Sequence, residues 1–128
     1  MKRLFEIIII SSILVTPTIG FARNYTTAID CAAFAELQIN AGFNQAENLR
    51  YFAFFVSAAA IYSMAVSGGD LFANQKKVES DMDLARERVR RRIEEATASG
   101  DVPLRDEVRQ ITRLCNEAYS DARALFVR

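Results

Sequence analysis

Two cysteines, Cys31 and Cys115, are the most reactive side chains in the chain. They show no C-x-x-C spacing and no activating base, so the chemistry they support is one structural disulfide rather than a reactive thiol. Histidine is absent altogether, which removes His-based triads, facial triads and most zinc sites. Nor is there a G-x-S-x-G, an S-x-x-K or a glycine-rich phosphate loop. Among the carboxylates, Glu36 and Glu47 could make an acid–base pair, but nothing in the sequence places them in one cleft. Glu79, Asp83 and Glu87 fall along one helix face with Asp81 turned away, whereas calcium asks for a loop delivering six or more oxygens. The chain is therefore read as a non-enzymatic protein with no catalytic residue, no metal and no cofactor.

Charge narrows the partners. Lys+Arg and Asp+Glu number 16 each, so no basic surface for nucleic acid is expected. The stretch from Glu79 to Glu95 holds Arg86, Arg88, Arg90, Arg91 and Arg92, which alone would suggest a polyanion site. Yet Glu87 with Arg91, Arg90 with Glu94 and Arg91 with Glu95 stand four residues apart, so a self-paired solvated face is the better reading.

The N-terminus reads as a secretory signal. Lys2 and Arg3 precede an apolar run from Ile7 to Val15, Pro17 breaks it, and Gly20-Phe21-Ala22 supplies a small-residue cleavage site before Arg23. No lipobox-like cysteine follows, because Cys31 is preceded by Ala28-Ile29-Asp30. The expectation is a signal peptide over 1–22 and one domain over 23–128, periplasmic or secreted. Removing Lys2, Arg3 and Glu6 with that signal leaves a net charge of −1. An oxidising compartment agrees with a Cys31–Cys115 bond. Asn24-Tyr25-Thr26 matches a glycosylation sequon but sits beside the new terminus, where a chance match is the better account.

Gly42, Gly68-Gly69, Gly100 and Pro103 cut the remaining chain into four segments. Thr27-x-x-Asp30 reads as a cap for a helix over 28–41 that Gly42 closes. Asn44-x-x-Glu47 resembles a capping box for a second helix over 45–67. Asp70 is the N-cap expected for a third over 71–98, and Pro103 fits the first turn of a fourth over 103–126. In the third, Leu71, Val78, Met82, Ala85, Val89, Ile93 and Ala96 recur at helical spacing. In the fourth, the apolar face is Leu104, Val108, Ile111, Cys115, Ala118, Tyr119, Ala122, Leu125 and Phe126. No sustained period-two alternation supports a strand. Short connections then predict an all-α, antiparallel up-down-up-down four-helix bundle stapled by one disulfide. At about 1.5 Å per residue, Cys31 and Cys115 stand roughly 16 and 18 Å from turns at the same end of such a bundle. The two sulfurs come level.

The second helix is apolar around its whole circumference and carries no charge from Tyr51 to Gly69. A bundle helix needs only about one third of its surface buried, so the excess must face something. Three readings stand. Tyr51, Phe54, Phe55 and Tyr62 could anchor a homodimer or a protein partner. Residues 51–69 could instead cross a membrane, with Ala59, Ser63 and Ser67 allowing close helix approach. Or this helix could be the central one, wrapped by the other three. The function these features point to is an exported accessory, adaptor or immunity-type protein that works by binding protein. The rival is a membrane-embedded accessory subunit.

Overall fold

A computed structural model describes residues 23–126, so the signal peptide expected over 1–22 lies outside the described residues. Four helices account for nearly all of the described chain: α1 over 23–40, α2 Gln45–Ser67, α3 Leu71–Ser99 and α4 Asp101–Arg123. Among these residues there is no strand. The helices pack on one another around a shared core, and the all-α bundle stands as read.

Each boundary has a local cause. Gly42 ends α1 at a φ of 84°. The Phe43 amide then donates to the Gln38 carbonyl at 2.9 Å and the Gly42 amide to the Ile39 carbonyl at 3.0 Å. That pair of bonds is the Schellman closure, which requires the left-handed backbone that glycine adopts without strain. Asp70 caps α3 as expected, its side chain accepting from the Ala73 amide at 2.7 Å. Gly100 separates α3 from α4, and α4 starts two residues ahead of Pro103, leaving Asp101 in the first turn to answer the positive helix end.

Two expected caps are not used. Helix α1 is already running at residue 23, so Thr27 and Asp30 lie inside it rather than at its start. Its first turns are held from α3 instead. The Tyr25 hydroxyl donates to the Asp81 carboxylate, Lys77 Nζ stands 4.8 Å over the Tyr25 ring, and Asp30 accepts from Arg88 at 2.6 Å. Asn44 does precede α2, but in a left-handed conformation with no side-chain cap bond. The side chain that ties down this corner is Asn48, whose Nδ2 donates to the Phe43 carbonyl at 2.8 Å.

The core runs from α1 outward. Ala28, Ile29 and every residue from Cys31 to Ala35 are buried. Four of these seven are alanines, and small side chains at a contact let helix axes approach closely. Central position therefore belongs to α1. Helix α2 buries Phe55, Ala58, Ala59, Ala60, Tyr62 and Ser63. Val78, Met82, Ala85 and Val89 of α3 and Ile111 and Ala122 of α4 complete the core. Of the apolar stripes read from sequence, only Leu71 and Phe126 at the helix ends are exposed. One buried polar link joins α2 to α3. Ser63 donates to Asn74 Oδ1 at 2.5 Å, and Asn74 Nδ2 donates to the carbonyls of Gly68 and Asp70, so the turn is satisfied without water. Cys31 and Cys115 form the disulfide, with Cα atoms 5.5 Å apart, and it fastens α1 to α4.

Candidate functional site

Helices α2 and α4 meet through rings. Tyr119 is the hub, 5.3 Å from Tyr51 in an edge-on contact and 4.5 Å from Phe54. Phe54 also touches Phe55 and Phe126 at 5.4 and 5.2 Å. These separations are those at which aromatic pairs attract beyond simple burial. Burial pushes the Tyr51 hydroxyl pKa above its ordinary value. The neighbouring Glu47 carboxylate pushes the same way.

Above this seam the helices part. A cleft of about 410 Å³ opens between the second half of α1, the start of α2 and the middle of α4, with the disulfide in its wall. Phe34, Tyr51 and Phe55 give it aromatic sides, while Gln38, Glu47, Asn48, Thr112 and Asn116 bring polar groups to it. A second hollow of about 320 Å³ adjoins it, sharing Glu47 and Tyr51 and adding Arg50, Phe54 and Tyr119.

The four aromatic residues read from sequence as interface anchors are thus used differently. Phe55 and Tyr62 are buried in the chain's own core, and Tyr51 and Phe54 are half-buried in the seam with Tyr119. Rings this large fall to whichever apolar surface lies closest, and α4 supplies it. What α2 leaves outside is a narrower stripe. Leu49 is 60% exposed and Ala53 is exposed, with Phe52 and Val56 half-buried beside them. Ser57, next along that face, folds its hydroxyl back onto the Ala53 carbonyl at 2.9 Å and so offers little polarity outward.

The candidate acid–base pair does not assemble. Glu36 is held by Arg86 at 2.7 Å, whereas Glu47 belongs to the cleft. The arginine-rich stretch of α3 is self-paired in part, with Arg90 between Glu87 and Glu94 at 2.5 and 2.9 Å and Arg91 at 3.6 Å from Glu87. Arg86, Arg88 and Arg92 instead reach other helices, to Glu36, Asp30 and Glu107. Asn48, Gln38 and Tyr119 were not singled out for function in the sequence. For Asn48 a signal existed, since a polar residue one turn ahead of a charge-free aromatic run has to find a partner or a cavity.

No protein family, no curated protein and no solved structure matches this chain.

Proposed function

We propose that this chain is an exported, non-enzymatic helical bundle that works by binding another protein through the outer face of α2. The observation that carries the reading is the stripe Leu49, Phe52, Ala53 and Val56. These residues stand at i, i+3, i+4 and i+7, hence on one helix face, and no charge interrupts α2 beyond Arg50. An apolar helix face that the bundle covers only in part is the pattern by which helices dock on partners. Export rests on the signal-like segment before Arg23, and a disulfide joining α1 to α4 is compatible with an oxidising compartment such as the periplasm. An accessory, adaptor or immunity-type role follows from that class of behaviour.

One observation favours a second reading. Helix α2, Gln45–Ser67, is long and apolar enough to cross a membrane by length and composition, with a mean hydropathy of 1.5 over its most apolar 18 residues. Against it, the inner side of α2 packs on α3 and α4, which carry charges in almost every turn. Helices of that kind do not follow a span into hydrocarbon.

Placing a photoreactive residue at Leu49, and separately at exposed Arg105, tests both readings in cells making the full chain. A discrete protein adduct at position 49 that is missing at 105 is the expected result, and Val56→Glu should abolish it. Adducts to lipid alone, with the protein retained in the pellet after alkaline carbonate, would replace this reading with the membrane one. Equal labelling at both positions would end the α2 claim.

A further inference from the structure

We propose that the cleft bounded by α1, the start of α2 and the middle of α4 binds a small alkylammonium group. This site is separate from the outer stripe of α2 and stands or falls independently of it. Its volume, about 410 Å³, lies in the range of small-molecule pockets.

The carrying observation is Asn48. Its side chain is among the few buried polar ones, at 7% exposure, and its Nδ2 is already committed to the Phe43 carbonyl at 2.8 Å. Its Oδ1 accepts from no group among the described residues. No buried side-chain oxygen among the described residues lacks a partner, so this oxygen is the part of Asn48 that the cleft leaves open. A carbonyl oxygen open to a cleft of mixed polar and aromatic lining is a place for an incoming N–H or O–H donor, because leaving it without one is costly once water is displaced.

The rest of the lining decides what kind of donor. Glu47 is the one charged residue of the cleft, and neither lysine nor arginine lines it. Arg50 lies in the adjoining hollow, beyond Glu47. The amides at the start of α2 would by themselves attract an anion, but Glu47 occupies that first turn and answers the positive helix end. Tyr51, one turn on from Glu47, turns an aromatic surface toward the same space. A carboxylate, an amide oxygen and aromatic faces around one cavity form a site for a cation with several N–H donors and a short apolar stem. Phosphate and carboxylate ligands are rejected by the same charge. The ammonium group can arrive on a free amine or on a lysine side chain of a bound protein.

The test uses the oxidised mature chain and three probes of one shape, n-butylammonium, 1-butanol and butyrate, at constant ionic strength. Shifts of the Asn48 side-chain amide and the Tyr51 ring are followed by NMR. Butylammonium should saturate with a dissociation constant of roughly millimolar order, butanol should bind several-fold more weakly, and butyrate should not bind. Glu47→Gln should lose about tenfold in affinity for butylammonium while leaving butanol unchanged. That residue is exposed, so an unchanged melting curve is expected to accompany the loss. Stronger binding of N-acetyl-lysine methylamide than of butylammonium would assign the site to a protein side chain, and the reverse order to a free amine. The proposal is overturned by equal binding of the three isosteres, by shifts that persist in Glu47→Gln, or by no saturable shift at Asn48.

Discussion

The contacts of α1 with α3 and of α2 with α4 are built from different chemistry. Between α1 and α3 the contacts that can be named are polar: Tyr25 with Asp81, Asp30 with Arg88 and Glu36 with Arg86. Between α2 and α4 they are rings, with Tyr119 gathering Tyr51, Phe54 and Phe55. Exposed ion pairs contribute only about 0.2–1 kcal/mol each, because water already solvates both partners. Aromatic burial contributes several times that per residue. The polar contacts thus fix which residues stand opposite each other, while the rings add apolar burial to the core that α1, α2 and α3 share. The disulfide crosses from the first system to the second, joining α1 to α4.

Cutting that link should have the largest effect. The bond closes a loop with a sequence separation of 84, for which loop-closure entropy gives a stabilisation of about 4–5 kcal/mol. Cys115→Ser should lower the melting temperature by well over ten degrees, and dithiothreitol should do the same to the natural chain. An unchanged melting curve in reductant would mean that the two seams hold the bundle without it.

Phe55→Ala comes next. Phe55 is buried where α2 meets α4, and removing a buried phenylalanine costs about 3–5 kcal/mol through lost transfer energy and the cavity left behind. Urea unfolding should show the midpoint falling with little change in slope. A loss below about 1 kcal/mol would mean that the ring hub at Tyr119 tolerates the gap, and the contrast between the seams would have to be redrawn.

This division also explains what could be read from the chain alone. The limits of α2 were legible to the residue, because Asn44 and Gly68-Gly69 break the helix on both sides whatever surrounds it. The apolar stripe that α4 turns toward the core was legible for the same local reason, that helical periodicity needs no partner to be visible. The disulfide followed from two cysteines without redox spacing in a chain read as exported. What failed was whatever depended on a neighbour. Thr27-x-x-Asp30 looks like a cap in one dimension, but Asp30 faces Arg88, 58 residues away. The arginines of α3 could be paired only within their helix, so the bonds of Arg86 to Glu36 and Arg92 to Glu107 went unseen. The cleft was out of reach altogether, since its walls come from three helices and its volume depends on their spacing. Tyr51, Phe54, Phe55 and Tyr62 stand out in the sequence as a charge-free aromatic run, but composition cannot say whether such rings face inward or outward.

The smallest expected effect probes the polar seam through pH. Burial, with the Asp81 hydrogen bond and charge behind it, raises the Tyr25 pKa well above the ordinary tyrosine value near 10. The folded chain therefore keeps a proton that the unfolded chain gives up above pH 10. The stabilisation from this contact is complete below that point and declines as pH rises through the alkaline range. Tyr25→Phe keeps the ring beneath Lys77 but removes the hydroxyl, at a cost of about 1 kcal/mol or less near neutrality. Chemical denaturation between pH 8 and 11 should then show the natural chain and the variant converging as pH climbs. Tyr51 and Tyr62, whose pKa values burial also raises, lend both proteins a common alkaline slope, so the difference between the two curves is the quantity to read. A constant offset across that range would mean that Tyr25 does not titrate differently on folding. The start of α1 would then be held by packing against α3, and the seam called polar would owe its register to the same forces as the other.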